Sequence, residues 1–176
     1  MRPVSSLPKY NVTSEIGRLR TVIMHRPGIE IARLTPENKD ALLFDDILWV
    51  ERAQQEHDQF VDILRSRGVE VLYLHELLAE TLQDEAVRAS VVDQVVAPAV
   101  TGPRVSDHLR RLLRECDMDA LLDVLIGGIL QRELPDWGVD PLFAGLVADR
   151  YRQVIRALPN LVFMRDNAAW IGNGLS

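Results

Sequence analysis

Few side chains in this sequence could carry out nucleophilic chemistry. The chain has one cysteine, Cys116, and a thiolate assisted by a histidine is a common nucleophile in covalent catalysis. Cys116 lies between Glu115 and Asp117, and neighbouring negative charges raise the pKa of a thiol and so reduce its thiolate fraction. We therefore do not expect Cys116 to be catalytic.

Two histidines fall inside predicted secondary structure without a partner at ligand spacing. His25 ends an apolar, β-branched run, where a strand-terminal packing role is the simplest interpretation. His57 lies on a predicted helix, and Ala53 and Val61 stand one turn to either side of it. We expect His57 to be a partly buried, hydrogen-bonded helix residue.

The carboxylates give a mixed picture. Asp45 and Asp46 are adjacent, and adjacent acids usually diverge, so we interpret them as loop-capping residues rather than a metal site. Asp166 follows Arg165 and precedes Asn167, and this tripeptide alone favours a turn-capping aspartate.

The elements that position these residues begin with an α/β module over residues 10–75. The apolar run 19–25 predicts a buried strand, the three- and four-residue spacing over 49–67 predicts a helix, and 69–74 predicts a second strand. Gly68 occupies the position after the helix end that favours glycine. Strand, helix and strand together indicate a parallel unit.

Residues 76–157 form a predicted helical subdomain without strand patterns. Its helical stretches lie near 84–97, 104–115, 117–132 and 141–157, separated by proline and glycine turn signals. A new module then begins at 158–176, with a predicted strand over 161–164 and a hairpin turn at 172–174. A chain that stops one turn into a new strand unit is interpreted as truncated.

Composition excludes several classes of protein. The formal net charge is −6 and the pI is near 5.2, which argues against nucleic-acid binding. Arg104, Arg110, Arg111 and Arg114 are interspersed with acids and predict a solvated helix face with ion pairs. One cysteine, no secretory signal and no membrane-length apolar run make the cytoplasm the default expectation.

Several motifs, taken in order and spacing, resemble arginine deiminases. They are Ser14-Glu15-Ile16-Gly17-Arg18-Leu19, His25-Arg26-Pro27-Gly28, Leu42-Leu43-Phe44-Asp45-Asp46, Leu125-Ile126-Gly127-Gly128 and Pro159-Asn160-Leu161-Val162-Phe163-Met164-Arg165-Asp166. The resemblance implies a partial α/β propeller, consisting of the first blade and the start of the next, with an inserted helical bundle. It also implies hydrolysis of L-arginine to L-citrulline and ammonia through a cysteine-linked intermediate, without metal or cofactor.

The resemblance also implies site residues. Asp166 matches the carboxylate that holds the guanidinium, a planar cation suited to paired, charge-assisted hydrogen bonds. Asn160 and Phe163 match positions that contact the amino-acid end and the aliphatic stem of arginine, and Leu43 matches a loop residue over the substrate. Strand alternation would place Arg165 and Asp166 on opposite faces.

Pattern alone gives these residues ordinary roles. Asn160 is a good turn residue after Pro159, and Phe163 and Leu43 would be interpreted as core. Met164 and the run Asn167-Ala168-Ala169 depart from the residues that are usual in the family around the Arg-Asp pair, which puts local packing in question.

The acid–base histidine and the nucleophilic cysteine of the family are expected beyond residue 176, so the chain alone is expected to be inert. L-Arginine is the expected ligand, and homo-oligomerisation is expected for a full-length protein. The alternatives are a non-catalytic binding or assembly module derived from the deiminase, and another guanidine-modifying enzyme such as an amidinotransferase or a dimethylarginine hydrolase.

Overall fold

The computed structural model describes residues 12, 14, 16–96, 103–134, 153–171 and 174–175, and these combine helices with short strands. Its strands are β1 (Thr21–Met24), β2 (Glu70–Tyr73), β3 (Ile129–Leu130), β4 (Gln153–Ile155), β5 (Trp170–Ile171) and β6 (Gly174–Leu175). Its α-helices are α1 (Ile29–Ala32), α2 (Val50–Ser66), α3 (Leu74–Thr81), α4 (Glu85–Val95), α5 (Pro103–Glu115), α6 (Met118–Gly127) and α7 (Met164–Asn167). Short 3-10 helices cover Asp40–Leu42, Gln131–Glu133 and Pro159–Val162.

The predicted parallel unit is confirmed. β1 pairs with β2 in parallel, with Thr21 opposite Glu70 and Met24 opposite Tyr73, and α2 connects them. Gly68 has φ +76°, the left-handed conformation that a glycine adopts at a helix end without steric cost.

Helices α3 to α6 enclose the larger of two apolar cores. Asp84 and Asp117 begin α4 and α6 by accepting hydrogen bonds from backbone N–H groups of the first turn, as N-cap residues do. The buried side chains of this core are Leu82, Val92, Val96, Leu109, Leu113, Leu121, Leu122, Leu125, Ile129 and Ile155. The smaller core consists of Ile31, Leu34 and Phe44.

Two predictions for this part of the chain are wrong. Residues 76–157 are not free of strands, and the helix predicted over 117–132 does not continue to residue 132. α6 ends at Gly127, because Gly128 takes φ +73° and turns the chain. β3 then pairs antiparallel with β4, with Ile129 opposite Ile155. The predicted helix 141–157 is therefore wrong over 153–155, and residues 141–152 lie outside the described part of the chain.

The pair Gly127 and Gly128 permits two close approaches. A Cβ on Gly127 would lie 2.3 Å from Cγ2 of Ile29 on α1, and a Cβ on Gly128 would lie 2.3 Å from the carbonyl oxygen of Ile155. The first contact brings α1 against α6, and the second brings β4 against the end of α6. Leu158 adds a backbone hydrogen bond to the carbonyl of Ile126, at 2.9 Å.

The predicted strand over 161–164 is also wrong, whereas the predicted hairpin is confirmed. Pro159 begins a 3-10 helix, because its fixed φ suits the first helical position. β5 and β6 pair antiparallel, with Trp170 opposite Leu175, and the turn residues 172 and 173 lie outside the described residues. None of the described helices is long and apolar enough to span a membrane.

Candidate functional site

The loop between α1 and α2 presents Leu43 in an unusual conformation. The backbone of Leu43 has φ 65° and ψ 33°, the left-handed region, which a leucine rarely adopts because its Cβ crowds the following carbonyl. The Leu43 side chain is 85% exposed. A bulky apolar residue that is both strained and exposed is a feature of functional loops rather than of packing.

Phe44 anchors this loop to the smaller apolar core. It is buried against Ile31 and Leu34 in the smaller core, while its ring lies 5.8 Å from the ring of Phe163 at an interplanar angle of 37°. This is a favourable geometry for an aromatic pair. The contact brings the Leu43 loop to the segment 159–167, which lies more than a hundred residues later in the sequence.

The segment 159–167 is a compact double turn. The backbone N–H of Phe163 donates to the carbonyl of Asn160, and that of Asp166 donates to the carbonyl of Phe163, both at 3.0 Å. The Asn167 side-chain amide donates to the carbonyls of Asn160 and Phe163, at 3.1 Å each. Asn167 thereby ties the two turns together.

These turns correct the expected alternation of Arg165 and Asp166. Both residues lie in α7, where successive side chains are about 100° apart around the axis rather than on opposite faces. The Asp166 side chain is exposed. Among the described residues, its carboxylate has no hydrogen-bond or ion-pair partner.

The structure brings the expected site residues together only in part. Asn160, Phe163 and Asp166 share one segment, in which Asn160 is half-buried and Phe163 is 47% exposed. Leu43 belongs to the loop that meets this segment, but the contact between them passes through Phe44. Phe163 and Leu43 are therefore not core residues, although the apolar pattern of their neighbours predicted that they would be.

Sequence reasoning missed two residues that organise this site, Phe44 and Asn167. The signal for Phe44 was its place inside the Leu-Leu-Phe-Asp-Asp motif. At Asn167 the family resemblance indicates only a departure from the usual pattern, although an asparagine after a turn is well suited to bond nearby backbone carbonyls.

Cys116 follows the end of α5 and packs against the larger core, whereas Phe44 belongs to the smaller core. It is half-buried, and burial raises the pKa of its thiol, with the charge of Asp117 acting in the same direction and that of Arg88 opposing it. Its Sγ lies 3.5 Å from the carbonyl oxygen of Leu113. These surroundings suit a structural thiol and not a nucleophile.

The two helix- and strand-associated histidines hold structural positions. His25 is buried and its Nε2 lies 3.0 Å from Oε1 of buried Glu30, which also accepts the N–H of Gly28 at 2.7 Å. His57 is half-buried, as expected for this helix position, and its Nε2 has no hydrogen-bond partner among the described residues. Burial lowers the pKa of His57.

Of the charged residues predicted to be structural, Asp46, Arg110 and Arg114 make such contacts with their side chains. Asp45 accepts a hydrogen bond from Nζ of Lys39 through its carbonyl, and Asp46 caps the N–H of Ile47. On α5, Arg110 pairs with Asp107 and Arg114 pairs with Asp93. The predicted ion pairs are thus confirmed for Arg110 and Arg114, but only Arg114 is solvated: the Arg110 side chain is 21% exposed and also donates to the carbonyl of Val96.

The geometry defines an α/β protein in which an exposed, strained loop and a short helical segment meet at an aromatic pair, with the exposed carboxylate of Asp166 on that segment. The family model described as arginine deiminase matches residues 40–176, which include both parts of this arrangement. The chain belongs to the arginine deiminase family.

Individual relatives agree. The chain is 44% identical to the arginine deiminase of Rhodococcus erythropolis over 98% of its own length and 42% of that protein. It is 48% identical to the arginine deiminase of Mycobacterium marinum, over 90% of this chain and 40% of that protein. The chain thus spans about two fifths of the length of these curated relatives, and it matches their N-terminal part.

Proposed function

We propose that this chain supplies the substrate-binding carboxylate and part of the pocket of an enzyme that hydrolyses L-arginine to L-citrulline and ammonia. Family membership supports the reaction. The observation that carries the site is the contact of Phe44 with Phe163, because it joins the loop of Leu43 to the segment of Asp166. Both segments bear residues that match substrate positions of the family.

Asp166 would bind the guanidinium of arginine. A guanidinium donates parallel pairs of N–H bonds to a carboxylate, and such charge-assisted bidentate pairs fix both distance and orientation. The carboxylate of Asp166 is exposed and has no partner among the described residues, so no internal ion pair has to break when arginine binds. Phe163 and Leu43 would then cover the aliphatic stem, and Asn160 would contact the amino-acid end.

The nucleophile of this reaction is proposed to lie outside residues 1–176. Covalent attack on the guanidinium carbon needs a thiolate near the operating pH, and Cys116 is the single cysteine of the sequence. Its raised thiol pKa and its position beside the larger core make it unsuitable. We therefore propose that these 176 residues alone form no citrulline.

The fold would follow the same family. The parallel β1–α2–β2 unit and the β5–β6 hairpin are consistent with one blade and the start of the next in an α/β propeller, with α3 to α6 inserted between them. In this proposal, residues 10–75, 76–157 and 158–176 are the first module, the inserted subdomain and the second module. The β3–β4 pair would close the inserted subdomain.

A spliced enzyme tests the proposed function. Residues 1–176 would replace the matching N-terminal part of the Rhodococcus erythropolis arginine deiminase, and citrulline formation from L-arginine would be measured. The unspliced enzyme and the isolated 176-residue chain would be run in parallel. We expect citrulline from the spliced enzyme and none from the isolated chain. A spliced protein that folds, as judged by circular dichroism, but forms no citrulline would contradict the proposal.

A further inference from the structure

Lys39 holds the Leu43 loop from both sides. Its carbonyl oxygen accepts the backbone N–H of Leu42 at 3.0 Å and that of Phe44 at 2.9 Å. Its Nζ donates to the carbonyl oxygen of Asp45 at 2.9 Å and to Oδ1 of Asp40 at 2.7 Å. One residue thus bonds the chain immediately before Leu43 and immediately after it.

The Leu43 conformation needs such support. A leucine in the left-handed region persists only where its surroundings over-determine it, and the exposed Leu43 side chain makes little packing of its own. Burial of Phe44 fixes the loop on its inner side. On its outer side, the ammonium of Lys39 closes the turn across the carbonyl of Asp45.

The charge of Lys39 is suited to this task. The hydrogen bond to Asp40 raises the pKa of Lys39, and the charges of Asp40, Asp46 and Asp45 act in the same direction, while desolvation opposes them. The ammonium therefore stays protonated throughout the neutral range. The Lys39 side chain is 23% exposed, so it is held along the loop rather than extended into solvent.

We propose that Lys39 is a positioning residue for L-arginine, acting through Leu43 without touching the substrate. This inference rests on the proposed function, in which Leu43 covers the aliphatic stem of arginine. That stem does not react, so contact with it contributes nearly equally to the bound state and the transition state. A displaced Leu43 loop should therefore raise KM for arginine and change kcat little.

The kinetic test uses the spliced enzyme with Lys39→Met, which removes the ammonium and keeps a similar stem. We expect KM for L-arginine to rise about tenfold, mainly from loss of the charged hydrogen bond to the Asp45 carbonyl, because the bond to Asp40 joins an exposed carboxylate. We expect kcat to change less than about threefold. Lys39→Arg, which can still donate to both oxygens, should restore KM. Arg52→Met is the matched control, because the ion pair that Arg52 forms with Glu56 is exposed on α2. An unchanged KM in a folded Lys39→Met enzyme would overturn the inference.

A second measurement needs no activity. In the 176-residue chain, Lys39→Met should accelerate hydrogen exchange of the Phe44 amide about tenfold and leave the β1 amides unchanged. If the Phe44 amide exchanges at the same rate in the unmodified chain and in the Lys39→Met chain, the inference is overturned. If the unmodified spliced enzyme forms no citrulline, the proposed function fails, and amide exchange still decides whether Lys39 holds the loop.

Discussion

Arg33 donates a hydrogen bond from Nη2 to Oε2 of Glu133 at 2.9 Å, and so joins residues that lie 100 positions apart. The Arg33 side chain is 9% exposed, and its Nε and Nη1 are buried without partners in the structure described. The same Oε2 of Glu133 accepts the backbone N–H of Leu130 at 2.9 Å. Glu133 therefore both caps a turn and neutralises a buried cation.

Glu133→Ala is expected to lower the free energy of unfolding by about 1–3 kcal/mol, because it removes the carboxylate that pairs with the buried Arg33 guanidinium. Urea unfolding followed by circular dichroism measures this. Glu56→Ala is the matched control, since it breaks an exposed pair with Arg52 and should cost less than about 1 kcal/mol. If Glu133→Ala and Glu56→Ala lower the free energy of unfolding equally, the Arg33–Glu133 pair stabilises the fold no more than an exposed ion pair does.

Gly128→Ala tests the close approach of β4 to the end of α6. Gly68 and Gly128 have similar positive φ values, +76° and +73°, but a Cβ at Gly68 meets nothing within 4 Å. Gly68→Ala should therefore cost about 1–2 kcal/mol from the backbone conformation alone. Gly128→Ala should cost about 1–3 kcal/mol more, because the methyl group overlaps the Ile155 carbonyl and because φ 73° with ψ −171° is a conformation essentially restricted to glycine. Thermal or urea unfolding measures the stability of both variants. Similar losses of unfolding free energy would contradict the close approach of β4 to Gly128.

The same positions show what the sequence could and could not predict. The β1–α2–β2 unit was predicted because its helix is long and strongly periodic and Gly68 marks its end. β3 and β4 were missed because strands of two or three residues have no period to detect, and their pairing depends on the turn at Gly128. Periodicity alone extended the predicted helix through Gly127 to residue 132, and it could not show that the helix ends at Gly127 or which strand lies beside that end.

The candidate site was predictable in its residue types but not in its geometry. The motif around Asp166 indicated a substrate carboxylate through family resemblance, whereas the apolar run 161–164 wrongly favoured a strand. The segment forms two consecutive turns instead, because the Asn167 side chain donates hydrogen bonds to the carbonyls of Asn160 and Phe163. A pattern of apolar residues cannot reveal such bonds. The left-handed Leu43 was equally hidden, because a leucine in that conformation depends on bonds made by Lys39 and burial of Phe44.

His57 should make the chain sensitive to mild acid. Burial lowers the pKa of folded His57 below its ordinary value of 6.5, so the unfolded chain binds the proton more readily. The stability contributed by neutral His57 is present above about pH 6.5 and is lost as the pH falls toward the folded pKa. His57→Gln should reduce the difference in unfolding free energy between about pH 7.5 and about pH 5.5. His75→Gln is the control, because His75 is exposed. If His57→Gln and His75→Gln reduce the pH dependence of the unfolding free energy equally, the pH dependence does not come from burial of His57.

Cys116 should be a slow thiol in the folded chain. Burial raises its thiol pKa, so both the thiolate fraction and access of a reagent are reduced. Alkylation by iodoacetamide near pH 7.5 is expected to be at least about tenfold slower in the folded chain than in denaturing urea. Rapid alkylation of the folded chain would return Cys116 to consideration as a nucleophile.

Asp166, and not Cys116, is proposed to contribute to arginine hydrolysis. The most direct measurement is citrulline formation by the spliced enzyme carrying either Asp166→Ala or Cys116→Ser. We predict a loss of kcat/KM of at least about 100-fold with Asp166→Ala, because the guanidinium loses a bidentate partner that orients it for attack, and nearly full activity with Cys116→Ser. Retained activity with Asp166→Ala, or activity abolished by Cys116→Ser, would contradict the account.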